Sequence, residues 1–342
     1  MQTYPKFLQE NPLKQPFTAL IVLLLGLAIL TACTGTTELA LDSTEPLKLR
    51  LPMGYIPDPQ YAPLYVAVDK GYFAEEGLVI DFDYSFETDG MALVAANELP
   101  FAIVGGDQVI LARAQGLPVV YVLEWFQRYP IAVVSKAAAN IAEPADLAGR
   151  TVGLPGFFGA SYVGYVGLLL ANDMVQEDVD AVDIGFTQVE TLLTGQADAV
   201  VVFANNEPIQ LMNLGEDVDV IRVADYIDLV FNGIVTNEET INNSPQLVER
   251  FTRAMLRGLA DTLADPDQAY EISKKYVEGL DDSRREVLEA SLELWDAEML
   301  GYTEAATWDR TQEILLAMGL LDAPVENLEA AYSNDFIEKV QP

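Results

Sequence analysis

From Leu47 onward, short apolar stretches alternate with helix-forming segments, and this order restarts once, near Ala145. Alternation of this kind builds βαβ units on largely parallel sheets. The first run predicts strands over 47–51, 78–84, 101–104 and 119–125, with helices over 61–70, 89–97 and 107–115. The second predicts strands over 151–154, 182–186, 199–203 and 218–223, with helices from Gly159 to about 174 and over 189–193 and 205–214. Segment 230–236 then carries the chain back to the first run. The remainder is helical, over 246–263, 266–277, 283–295 and 303–318, with apolar residues such as Phe251, Met255 and Leu259 at helical spacing. Those helices read as packing on the first lobe, without chemistry of their own. The expected fold class is therefore α/β, two lobes with a ligand cleft between them. The first lobe comprises 47–134 and 233–342, the second 135–232.

The N-terminus has a different character. Lys6 and Lys14 precede the apolar run Phe17–Leu30, which is short for a membrane span but suits a signal-peptide core. It ends in Leu30-Thr31-Ala32-Cys33 and a small, polar sequence, the pattern of a bacterial lipobox. Residues 1–32 are read as a lipoprotein signal peptide, Cys33 as the lipidated residue and 33–46 as a tether. The expected location is the extracytoplasmic face of the cell membrane, held by acyl chains.

Composition excludes several functions. The net charge of −34 argues against nucleic acid as a partner, since such binding rests on Lys and Arg. With no histidine in the chain, histidine-based catalysis and histidine metal sites are ruled out. The single cysteine allows no internal disulfide and no thiolate cluster. No nucleophile–base pair is visible, so no catalytic residue, metal ligand or cofactor is assigned.

In open α/β sheets, ligands sit beyond the C-terminal ends of the strands, at helix starts. The residues expected there are Tyr61, Phe86, Glu87, Asp89, Asp107, Gln108, Trp125, Gly159, Ser161, Tyr162, Tyr165, Asn205, Asn206 and Glu207. The segment Gly153–Tyr165, GLPGFFGASYVGY, stands out as a strand end turning into a helix start. Its free N–H groups suit an oxygen-rich ligand group; equally, its glycines can serve only to pack a helix on a sheet. Core or hinge packing is the competing reading for each aromatic as well. Between Ala137 and Val230 the only basic residues are Arg150 and Arg222. A lobe so poor in cations is a weak clamp for phosphate or sulfonate, and a neutral, flat, hydrogen-bonding ligand fits it better. Trp125, Tyr61, Phe86, Tyr162 and Tyr165 can stack on such a ring. Asn205 and Asn206 can pair with a pyrimidine-like edge, and Glu87, Asp89, Ser161 and Glu207 can take hydroxyl groups.

The lipobox, the stretch GYIPDPQYAPLYVAVDKGYFAEEGL and the Gly-Gly-Asp turn together resemble the solute-binding proteins of ABC importers, periplasmic-binding type II, in their thiamine-pyrimidine and sulfonate branch. Within that branch, YSFETDG, ARAQGLPVVYV, PGFFGASYVGY and FANNEP are similar to its riboflavin-binding lipoproteins. The resemblance implies a two-lobe periplasmic-binding-protein type II fold and riboflavin as the transported ligand. It also implies ABC permease and ATPase subunits as partners, and closure of the lobes about hinges near Val133–Lys136 and Val230–Gly233. A thiamine pyrimidine precursor or a related heterocycle is the alternative ligand. Some members of the branch are pyrimidine-synthesising enzymes that use an active-site histidine, which this chain lacks. A sensor domain feeding a membrane receptor is a further alternative.

Overall fold

The chain was analysed as a computed structural model that describes residues 45–341. The expected signal peptide, Cys33 and nearly all of the expected tether lie outside the described residues.

The first run of strands is β1 (Leu47–Gly54), β2 (Leu78–Phe86), β3 (Ala102–Gly105) and β4 (Val119–Glu124). The second is β5 (Ile131–Lys136), β6 (Thr151–Leu154), β7 (Asp180–Asp183), β8 (Ala199–Phe203) and β9 (Val218–Arg222), and the chain returns in β10 (Asn232–Asn237). The helices that matter for the site are α1 (Ala62–Asp69), α2 (Glu87–Ala95), α3 (Gly106–Ala114), α4 (Gly159–Ala171) and α5 (Glu207–Asn213). From the C-terminal part come α6 (Pro245–Ala264), α7 (Arg285–Trp295) and α8 (Ala305–Ala317).

The strands form a β1-β2 pair, a three-stranded sheet β3-β10-β4 and a five-stranded sheet β7-β6-β8-β5-β9. The sheets are less parallel than the strand–helix alternation predicts. β10 runs antiparallel to β3 and β4, and β5 antiparallel to β8 and β9. The two lobes share one plan: each sheet inserts, between two of its own strands, a strand arriving from the other lobe. A newcomer from the hinge side must run against strands whose C-terminal ends face the hinge. The other neighbours, β1 with β2 and β6 with β7 and β8, are parallel, as βαβ units require. A register shift between Pro52 and Gly54 sets Gly54 opposite Phe86, so β1 and β2 end side by side. Gly54 sits at φ +80°, a turn that a β-carbon disfavours.

The expected hinge at Val133–Lys136 is not there. Those residues lie inside β5, paired on both sides to β8 and β9, and β5 already begins at Ile131. The chain instead crosses at 125–130 and again just before β10. An aromatic block holds this crossing. Phe231 meets Phe126 and Tyr129 at 5.2 Å between ring centroids and Phe203 at 6.0 Å. Trp125 packs on Phe126 at 5.0 Å, Tyr61 at 5.5 Å and Trp295 at 5.8 Å. Burying each such ring contributes roughly 1.5–3 kcal/mol.

The C-terminal helices do more than cover the first lobe. α6 does pack on α1, but α8 lies against both α3 and α4, one from each lobe. Thr311 of α8 accepts the Val230 N–H at 3.1 Å, and Gly167 of α4 faces Leu229 and Ile314. α7 reaches the second lobe through Ser291, as described below.

The α1–α6 crossing gives a test. A β-carbon on Gly258 would lie 2.2 Å from the Pro63 carbonyl oxygen and 2.7 Å from the Ala67 β-carbon. Alanine raises helix propensity by about 1 kcal/mol over glycine, but a clash with backbone costs about 1–3 kcal/mol because no rotamer relieves it. Gly258→Ala is expected to lower stability by about 1 kcal/mol or more in denaturant unfolding; a stabilised variant would contradict the close approach.

Candidate functional site

The site grows from helix starts at strand ends. At the start of α2, Glu87 accepts the Gly105 N–H through Oε1. At the start of α3, Asp107 is 4% exposed and lies in the first turn of the helix. A β-carbon on Gly105 would lie 2.4 Å from Asp107 Oδ1, 3.2 Å from Glu87 Oε1 and 3.3 Å from Asn232 Oδ1. Three side-chain oxygens thus close in on one glycine, and a β-carbon there would force Asp107 to turn away. Gln108, partly buried, follows in the same turn. Burial, aided by the charge of Asp107, pushes Glu87 up to about 8, and burial pushes Asp107 up to about 6. Burial disfavours the charged form of both, and the charge of Asp107 adds to this at Glu87, so Glu87 is the more readily protonated of the two. The pair therefore offers an O–H donor as well as acceptors. Phe86 and Asp89 flank Glu87 and are exposed, Phe86 by 78%.

Tyr61 and Trp125 lie together in the aromatic block. Tyr61 is buried and its hydroxyl donates to the Met53 carbonyl at 2.8 Å. Trp125 is buried among Tyr61, Phe126 and Trp295, so neither ring is an open wall.

On the second lobe, α4 begins at Gly159 with φ +66°. A β-carbon there would meet nothing within 4 Å, so the backbone turn, not a close approach, demands the glycine. Gly156 is the tight position: a β-carbon would lie 2.4 Å from the Phe158 ring, which folds over it. Helices α2, α3 and α5 each carry a carboxylate in the first turn, whereas α4 carries none and has no side-chain cap. Its N–H groups and positive dipole end stay uncompensated beside the partly buried Ser161. Tyr162 donates to Gln176 Oε1 at 2.5 Å and meets the Phe157 ring edge-on. Tyr165 is fully buried, with a hydroxyl that has no hydrogen-bond partner. The Tyr129 hydroxyl donates to the Ala160 carbonyl at 2.8 Å, which ties this helix start to the crossing.

At the end of β8, the neighbouring asparagines differ. Asn206 donates to Glu207 at 3.3 Å and accepts from Gln210 at 3.0 Å. Its amide is spent within the turn. Asn205, 2% exposed, donates to Ser291 Oγ of α7 at 2.8 Å and keeps Oδ1 unpartnered. Glu207 accepts the Phe203 N–H at 2.9 Å, and burial raises its pKa against the pull of Arg284.

Arg284 is a residue that sequence reasoning missed. It donates to Asp58, the cap of the Pro59–Tyr61 turn, with Glu207 and Tyr55 in its field. One cation thus faces carboxylates of both lobes. Trp295 and Ser291 were missed as well. All three come from a stretch whose only local signal is an amphipathic helix; Arg284 and Asp58 stand 226 positions apart.

The profile of the family described as NMT1/THI5 like matches residues 58–269. The chain belongs to that family. It is 41% identical to the riboflavin-binding protein RibY of Chloroflexus aurantiacus, over 92% of this chain and 97% of that one. It is 30% identical to a formylaminopyrimidine-binding protein of Halalkalibacterium halodurans, over 90% and 95% of the two chains. Its fold is similar to that of the periplasmic aliphatic sulphonate binding protein SsuA of Escherichia coli (TM-score 0.70, 14% identity, 85% of this chain and 99% of that one). The fold is that of a periplasmic binding protein, two α/β lobes, as expected.

The buried carboxyls make stability pH-dependent. Unfolded, they ionise near pH 4, whereas the fold holds the Glu87 proton up to about 8. Burial likewise pushes Glu124 up to about 8. Across this window the folded chain binds more protons than the unfolded chain, so stability falls as pH rises. Glu87→Gln keeps an acceptor for Gly105 and removes one titration. Its melting temperature is expected to drop less than the wild type's between about pH 5 and about pH 8; equal slopes would mean that Glu87 is ionised in the fold.

Proposed function

We propose that this chain is an extracytoplasmic solute-binding lipoprotein of an ABC importer, that riboflavin is its ligand, and that it is not an enzyme. The observation that supports the reading is the gathering of buried aromatic rings and hydrogen-bonding side chains near the crossing between the lobes. Arg284, the cation that reaches it, is already held by Asp58 and faces Glu207. A neutral ring system with a polyhydroxyl chain matches that chemistry. The flavin ring would contact the Trp125 side of the crossing. Glu87, Asp107 and Ser161 would hold hydroxyl groups, one carboxyl as donor and the other as acceptor. The similarity to a riboflavin-binding protein over nearly the whole chain supports the same ligand. The lack of any histidine speaks against catalysis of the histidine-dependent kind.

The ligand would be passed to an ABC permease and ATPase, with the lobes closing on it about the crossing at 125–130 and the segment before β10. Lobe boundaries at that crossing and just before β10, the first a few residues earlier than the boundary at 134 expected from the sequence, and an anchor on Cys33 complete the proposal.

Titration of the detergent-solubilised protein with riboflavin is expected to quench flavin fluorescence at micromolar ligand or below. Flavin mononucleotide is expected to bind at least roughly tenfold more weakly, since its phosphate finds no unpaired cation. No change with riboflavin would sink the reading. The 30% identical relative favours an aminopyrimidine as second reading; displacement of bound riboflavin by formylaminopyrimidine at equal concentration would support it. Cys33→Ser is expected to move the protein from the membrane fraction to the soluble one.

A further inference from the structure

Among the described residues, five buried side-chain atoms have no hydrogen-bond partner within the protein, and three of them are Trp125 Nε1, Trp295 Nε1 and Asn205 Oδ1. Their side chains are all but fully buried, at 1%, 0% and 2% exposure. They come from three separate parts of the fold. Trp125 follows β4, Asn205 lies in the turn between β8 and α5, and Trp295 ends α7.

They are nevertheless neighbours. The two indole rings lie 5.8 Å apart between centroids. Asn205 bonds to Ser291, which stands one helical turn before Trp295 on the same face of α7. That bond also decides which end of the amide is free. The Ser291 hydroxyl donates its only proton to the Val287 carbonyl at 2.6 Å, so toward Asn205 it can only accept. Asn205 must present its NH2 group to Ser291, and its carbonyl oxygen is the atom left over.

Two N–H donors and one carbonyl acceptor, all dehydrated and unpaired, are costly for a fold to keep without a partner. We infer that they read one edge of the ligand, the imide edge of a flavin-type ring, where two carbonyl oxygens flank an N–H. The tryptophans donate to the carbonyls and Asn205 accepts from the N–H. The inference rests on the flavin reading above and adds to it the edge recognised, with Trp295 as a specificity-determining residue. An aminopyrimidine presents an amino donor beside a ring nitrogen, with no second carbonyl, and satisfies the set only in part. Lobe opening would give access, because Asn205 belongs to the second lobe while Trp295 sits on the C-terminal block.

The test compares riboflavin with its N3-methyl derivative, which differs only at the imide N–H, on the detergent-solubilised full chain. Wild type is expected to bind the methylated flavin at least roughly tenfold more weakly, the loss of one buried hydrogen bond. Trp295→Phe keeps a ring in place and is expected to weaken riboflavin by a similar factor. Asn205→Leu is expected to abolish the discrimination between the two flavins. Equal binding of both flavins by the wild type would overturn the edge assignment while leaving flavin binding intact. Binding of neither would overturn the assignment and the flavin reading together. The wild-type comparison needs no variant to fold.

Discussion

Packing of the Phe231 ring against Phe126, Tyr129 and Phe203 holds together the place where the chain passes twice between its lobes. The Phe231 backbone is used as fully as its ring: its carbonyl accepts the Tyr121 hydroxyl at 3.0 Å and the Gly106 N–H at 3.1 Å. Each sheet therefore receives its antiparallel strand at a fixed height. The helix starts that follow β3 and β8, and the Tyr129 bond to α4, are positioned from the same point. The candidate site is built on the crossing more than on either lobe alone.

Charge decides what such a site accepts. The chain carries a large excess of acid, and several carboxyls are buried where the lobes meet. In water they would be ionised and mutually repelling; dehydrated, some hold protons instead. Burial and the charge of Asp107 favour the protonated form of Glu87, burial raises Asp107 as well, and Glu207 shares the field of Arg284 with Asp58. The result is a surface of hydrogen-bonding groups with little net positive potential. That suits hydroxyls, carbonyls and ring nitrogens better than anions.

Much of the fold was legible in the sequence. The strand–helix alternation located every strand described in the two lobes except β5 and β10, the two strands that the chain forms on passing between lobes, which read as a hinge and a return segment. The apolar stretch Ile131–Val134 of β5 looks the same whether it crosses between lobes or is buried in a sheet, because periodicity does not report a pairing partner. The site was legible by type more than by role. The strand-end rule collected Glu87, Asp107, Asn205 and Glu207, and the structure brings these to helix starts near the crossing. It does not make equals of them: Asn206 is spent on Glu207 and Gln210, and Tyr61 on the Met53 carbonyl. Which of two adjacent amides remains free depends on partners far along the chain.

The sequence by itself determined the class of fold, the absence of histidine chemistry and the scarcity of cations in the second lobe. These follow from periodicity and composition, which need no coordinates. Only the tertiary structure decided that the C-terminal helices enter the site. Arg284 finds Asp58, Ser291 orients Asn205 and Trp295 meets Trp125 across separations that no local pattern encodes. Hydrogen bonds and ring contacts of this kind are set by where elements dock, and docking is a property of the whole packed chain.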